Sequence, residues 1–412
     1  SACSNFKSVG ARVVWVGDHG VVLEDTAATL AGTMDDTWAL VGTGYDQSMH
    51  QVLLDYFGDP LVLDAQLDAN DRLLMLFSEE VNDFDAGVAG FVFSGDFYSR
   101  VSCASSDQAE IFYGMVPTDE GTGFSGNTVD QWYRLMRSTV IHEVKHIRSF
   151  ASRIEQNGGT NTEESWLEES TARLAEEFWA RTVYGHAHGG NTGYDASLRC
   201  EVRPSGDAGC PVGPPWVMGK HFMALWDYYD NVENLTPLGR ADGSSDATFY
   251  GSGWLFVRWA LDQSGQDEAT WVKALVGEST LAGIANIEAR TGREYAPLLG
   301  DFALAIASDD VDGFTAERPE ITFPGWNTRG IFAGLHDDFS NQPSAGFDVE
   351  FPLDTRPITF GDFEADVSTL RGGTASFFEL AGTLAGTQLV ELLSASGGAA
   401  PGALGLAIVR VR

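Results

Sequence analysis

Two histidines one helical turn apart constrain this 412-residue chain more than any other feature. They stand in His142-Glu143-Val144-Lys145-His146, within a stretch (128–153) whose apolar residues Trp132, Leu135, Met136, Val140, Ile147 and Phe150 recur at helical spacing. Thr128-x-x-Gln131 opens that stretch as a capping box. Residues four apart share one helix face, so both imidazoles can reach a single metal ion. Glu143 lies beside them, where a carboxylate can take the proton of a water on that metal; zinc with an open position lowers such a water's pKa to about 7. With eight His in the chain, chance gives the pattern on the order of once in a hundred such sequences. The bland alternative is a solvated helix face that happens to carry these groups.

A tetrahedral catalytic zinc needs a third protein ligand. A polar loop at 156–160 ends the first helix, and a second helical pattern runs from near Asn161 to Tyr184, stopped by Gly185. It carries Trp166-Leu167-Glu168-Glu169-Ser170-Thr171-Ala172-Arg173-Leu174-Ala175-Glu176. The chain between His146 and Glu169 is long enough for the first helix to finish, turn and return antiparallel, which puts Glu169 in place as the third ligand. Ser170 and Ala172 keep the helix surface thin there. Glu176, two turns further on, can orient a metal-bound histidine from behind. The remaining acidic residues of this helix read as a solvated face.

Composition narrows the setting. Asp and Glu number 59 against 25 Lys and Arg, a formal charge of −34, which repels phosphate backbones and anionic lipid; nucleic acid and membrane surfaces are excluded as partners. Only Lys7, Lys145, Lys220 and Lys273 are lysines. No stretch reads as a membrane span, because the uncharged run at 392–409 is broken by Gly397-Gly398 and Pro401-Gly402. The four cysteines form no C-x-x-C pair, which argues against a zinc ribbon or redox site. Cys200 and Cys210 bracket a polar loop that a disulfide would stabilise by roughly 2–3 kcal/mol, leaving Cys3 to pair with Cys103. That framework, with Ser1 at the start of the chain, points to a secreted, mature protein.

The organisation expected is α+β. A hairpin covers 11–23, a helix 38–57, and strands 73–77, 90–94 and 110–116. Helices dominate 216–308, at 216–229, 247–263, 268–276, 280–290 and 295–307. Short alternating runs at 347–351, 358–360, 375–380, 389–393 and 406–411 suggest a small C-terminal β-sandwich. The expected divisions are 1–155, a β-rich subdomain ending in the zinc-binding helix; 156–335, a helical subdomain with the third ligand; and 336–412, the β domain. Asp64, Asp68, Asn70 and Asp71 can hold Ca²⁺, although they lack the glycine and closing glutamate of an EF-hand loop, and the alternative is a solvated acidic turn.

The pair His142-Glu143-x-x-His146 and Trp166-Leu167-x-Glu169-x-x-Ala172-x-x-x-Glu176 resembles the gluzincin metallopeptidases, whose second motif reads W-L-x-E-G-x-A. The likeness is greatest to the hyicolysin type and covers roughly residues 10–335. It includes Leu73-Leu74-Met75-Leu76-Phe77-Ser78, Glu110-Ile111-Phe112-Tyr113 and Tyr250-Gly251-Ser252-Gly253-Trp254-Leu255-Phe256. The resemblance implies a β-sheet subdomain above the zinc, a helical one below, and a peptide held by strand addition to the sheet edge, for which 110–116 is the candidate. It implies a secreted zinc endopeptidase acting on peptide or protein substrates. The same fold supports aminopeptidases, but no Gly-x-Met-x-Asn-type amine-recognition motif precedes the zinc helix. A non-enzymatic acidic binding protein with a structural metal is the third reading; such a site would need four protein ligands. Ser170 departs from the usual glycine and Glu168 from a common asparagine; the added charge of Glu168 is expected to act at the substrate's amine side. Tyr250 is the candidate oxyanion donor, since similar peptidases present a tyrosine or histidine from the helical subdomain. His186 and His188 read as exposed, and His221 as structural.

Overall fold

The valine-rich N-terminal run folds as the expected hairpin, β1 (Ala11–Val16) and β2 (Gly20–Asp25), closed where Gly17 N–H donates to the Gly20 carbonyl at 2.9 Å. This computed structural model describes residues 2–84, 88–118, 128–203, 210, 213–240, 249–341, 346–359, 370–381, 389–394, 396–402 and 404–411. Next comes α1 (Asp35–Gly44), which continues through a π turn (Tyr45–Met49) into α2 (His50–Tyr56). After these lie β3 (Leu73–Phe77), the short α3 (Glu79–Asn82), β4 (Gly90–Val92) and β5 (Ile111–Gly114). The strand order is β1-β2-β3-β5-β4, parallel at β2/β3 and β3/β5 and antiparallel at both outer pairs. The expected edge strand at 110–116 is therefore interior. Its core supplies β5, with Phe112 paired to both Met75 and Val92, so β4 forms that edge instead.

The sheet is covered by α4 (Val129–Asn157), whose capping box forms in both directions between Thr128 and Gln131. Trp132, Met136, Val140, Ile141, Val144 and Ile147 are buried along it. Trp38, Phe77 and Trp132 meet with ring centroids 4.8–5.6 Å apart, and both indole N–H groups are satisfied: Trp38 donates to Glu24 and Trp132 to the Met115 carbonyl. Buried aromatic area of this kind contributes roughly 1.5–3 kcal/mol per side chain. Gly158, at φ +67°, ends the helix in the left-handed conformation.

The second helix, α5 (Ser165–Tyr184), begins four residues later than the periodicity suggests. Glu163 explains the delay, because its carboxylate is drawn to Arg153 (2.8 Å), the Gly283 N–H (2.5 Å) and Asn286 (3.0 Å). Those contacts hold the chain extended before the helix starts. The remaining helices are α6 (Leu198–Val202), α7 (Met218–Tyr229), α8 (Phe249–Gln263), α9 (Glu268–Val276), α10 (Gly283–Thr291), α11 (Tyr295–Ser308) and α12 (Thr328–Phe339). A small antiparallel pair, β6 (Leu235–Thr236) and β7 (Gly239–Arg240), lies between α7 and α8.

Two compact units result: Ser1–His188 with Cys200–Gly219 and Gly265–Arg290, and Gly189–Arg199 with Lys220–Ser264 and Thr291–Arg412. They interleave along the chain, unlike the contiguous 1–155, 156–335 and 336–412. In the second unit α8 is buried from Gly251 to Leu261, and a Cβ on Gly251 would lie 2.4 Å from the Leu225 backbone nitrogen. Glycine there lets the two backbones meet. The helix α12 was hidden by Gly330 and Gly334; a Cβ on Gly334 would strike the Tyr194 ring at 2.3 Å.

The C-terminal segment corrects the sandwich expectation. Its described residues form one parallel pair, β8 (Thr355–Thr359) with β9 (Phe377–Ala381), and an isolated bridge between Leu393 and Ala399. The runs at 347–351 and 406–411 are not strands, and Phe360 lies outside the described residues. Leu389, Leu393, Leu406 and Ile408 are all more than half exposed, so among the described residues no second sheet buries the alternation there. Both expected disulfides are present, Cys3–Cys103 and Cys200–Cys210. No helix among the described residues is long and apolar enough to cross a membrane.

Candidate metal centre

The first unit packs α4 beside α5, and their facing surfaces carry the chemistry. His142, Glu143 and His146 each present a ligand atom within 4.8 Å of the other two. From α5, Glu169 Oε2 lies 3.0 Å from His142 Nε2 and 3.6 Å from His146 Nε2. A tetrahedral zinc with ligand bonds near 2.0–2.2 Å spaces its donors about 3.3–3.4 Å apart, and the two Glu169 distances bracket that spacing.

Behind the imidazoles, each Nδ1 meets a carboxylate. Glu176 Oε1 is 2.7 Å from Nδ1 of His142, and Glu168 Oε1 is 2.6 Å from Nδ1 of His146. An ionised carboxylate only accepts, so both Nδ1 atoms carry a proton. Toward the Glu169 oxygen each ring then presents either an Nε2–H, as an imidazolium, or an Nε2 lone pair that a metal cation can share with the carboxylate. The donor set of two imidazole nitrogens and one carboxylate suits zinc, and carboxylates behind metal-binding histidines raise ligand basicity and fix the rings.

The electrostatics of the metal-free centre favour positive charge at these rings. Burial works to lower the pKa of His146, but Glu168 and Glu169 overcome it and raise the value to about 10. For His142 the balance runs the same way, with burial opposed by Glu169 and Glu176. Burial also opposes ionisation of Glu168, yet Lys145 and His146 bring its carboxyl down to about 2. Glu143 is held above the ordinary carboxyl range by burial, the direction that suits a proton acceptor working near neutrality.

Glu168 is the residue that sequence reasoning misplaced. It is buried rather than directed toward a substrate's amine side, and it bridges His146 to Lys145, whose Nζ is 2.8 Å from Oε1 and 2.9 Å from the Glu168 carbonyl. Lys145 itself is fully buried. The signal was available: a lysine between the two histidines, in a chain with four lysines, needs a counter-ion from the facing helix. On the other side Glu176, also fully buried, has Arg173 3.6 Å from its second oxygen.

Tyr250 sits in the first turn of α8, in the second unit, stacked on Phe249 at 4.8 Å. His221 belongs to the same unit and is buried edge-on against Trp254, as a structural histidine would be. His188 pairs with Glu268 at 3.4 Å and stacks on Tyr56, while His186 stacks on Tyr184. Of the acidic turn, Asp64 and Asp68 come together, but their third neighbour is Glu110. Asn70 supports Asp68 through its side-chain amide, the backbone N–H groups of Asn70 and Asp71 donate to Asp64, and Asp71 is not among the three clustered carboxylates. No protein-family model matches the chain, and no curated protein matches it either.

Proposed function

We propose that the chain is a secreted zinc endopeptidase of the gluzincin kind, most like the hyicolysin type. One observation carries the reading: both Nε2 atoms of the histidine pair face a single Glu169 oxygen, with each Nδ1 held by its own buried carboxylate. His142, His146 and Glu169 would hold the metal. When bound, zinc would act as a Lewis acid toward a peptide carbonyl and make water a nucleophile at neutral pH. Glu143 takes the proton of the attacking water and returns it to the leaving amine. Its raised pKa lets it do both. Glu176 and Glu168 keep the two rings in one orientation and one tautomer. An extended peptide would add to the outer edge of β4, the strand beside β5. The two disulfides fit an oxidising, extracellular setting. The testing experiment is metal analysis of the purified protein together with digestion of denatured protein substrates.

One result is expected around this site. Glu168→Gln and Glu176→Gln each weaken zinc binding by about 10–100-fold, read by competition with a chromophoric chelator. Unchanged affinity in both variants would remove the orienting role from these carboxylates.

A further inference from the structure

The acidic cluster at the turn before β3 holds a feature that solvated turns do not have. Glu110 precedes β5 and is fully buried, and neither of its carboxylate oxygens has a hydrogen-bond partner. Its backbone is fixed, since its carbonyl accepts from the Leu74 N–H at 2.9 Å beside β3. Its carboxylate points at Asp64 and Asp68, with one oxygen from each of the three residues lying within 4.8 Å of the others. Asp64 is itself buried, and its Oδ1 accepts the N–H groups of Asn70 and Asp71 at 3.1 and 3.2 Å. Among the described residues none of the three carboxylates forms an ion pair.

Three converging carboxylates, one of them buried and without any partner, are costly unless a positive charge lies among them. We propose that Asp64, Asp68 and Glu110 bind one calcium ion, which ties the 64–71 turn to the strand β5. The donors are all carboxylate oxygens, with no His or Cys, so the ion is a hard one. Oxygens bound to one calcium at 2.3–2.6 Å can stand up to about 5 Å apart, which the cluster satisfies, whereas magnesium demands a tighter and more regular shell. Burial first, and then the charges of Asp64, Asp68 and Asp59, push the Glu110 carboxyl up to about 8, the response of a carboxylate that lacks its cation. The site shares no residue with the zinc centre and stands or falls independently of it.

The test uses the full chain, zinc-loaded and dialysed into calcium-free buffer, then titrated with Ca²⁺ by calorimetry and followed by thermal unfolding. The expected outcome is one Ca²⁺ per chain and a rise in Tm of about 2–6 °C at saturation. Glu110→Gln, which removes the buried charge and keeps the shape, should melt at or above the calcium-free wild type and bind Ca²⁺ at least about tenfold more weakly. Asp68→Asn, at an exposed position where folding is not at stake, should weaken it as well. Absence of any calcium-dependent shift in the wild type would overturn the proposal. Equal Ca²⁺ affinity in both variants would do so too, as would Mg²⁺ binding as tightly as Ca²⁺.

Discussion

Glu143→Gln is expected to leave one zinc per chain and to slow peptide hydrolysis by about 10²–10⁴-fold or more. The side chain differs by one atom, so the helix and the two histidines keep their positions. What is lost is the capacity to accept a proton. Glu143 offers a ligand atom within 4.8 Å of both histidines, whereas Glu169 is the carboxylate 3.0 and 3.6 Å from their Nε2 atoms. That separation of roles is what the variant measures. Near-full activity in Glu143→Gln would take the base assignment away from Glu143. A parallel loss of zinc would instead make Glu143 a ligand.

The second large effect concerns the ligands themselves. His146→Ala, and separately Glu169→Ala, should reduce zinc from about one per chain to a small fraction after dialysis, with hydrolysis lost in step. His146 is the informative position because its removal leaves the buried Lys145–Glu168 pair, 2.8 Å apart, still in place. The helix pair therefore keeps its internal salt link, and far-UV dichroism separates metal loss from unfolding. Full zinc content in either variant would mean that the metal, if bound, is bound elsewhere.

Much of this site could be read from spacing because it is built on two helices. Four-residue periodicity places His142 above His146 without any knowledge of the fold, and the two-turn step from Glu169 to Glu176 places the latter behind a histidine ring. Glu168 escaped because neighbouring residues on a helix face differ by about 100°, so Glu168 and Glu169 can serve opposite sides of the same centre. Only the packing of α4 on α5 shows that the direction taken by Glu168 is inward. Glu110 escaped for another reason: parallel pairing of β3 with β5 brings it beside the 64–71 turn across a long stretch of chain, and no local pattern encodes that.

The fold divided in the same way. Capped, strongly periodic elements were legible: α4 with its capping box, α9 with its bounds unchanged, and β3. Strand order was not. The interior place of β5 depends on β4 turning back antiparallel beside it. In the C-terminal segment alternation misled, because period-two patterning marks a strand only when a partner face exists to bury it. The residues that alternate at 406–411 remain open to solvent.

A hydrolytic zinc site between α4 and α5 should cut a broad peptide library in a zinc-dependent way. Zinc-loaded wild-type protein, the same protein after zinc chelation, and Glu143→Gln are each incubated with the library, and the products are read by mass spectrometry. Internal cleavages are expected with the wild type, none after chelation, their return on adding zinc, and at most trace products with Glu143→Gln. An intact library after incubation with folded wild-type protein carrying one zinc would contradict a hydrolytic role, and the centre would then be structural.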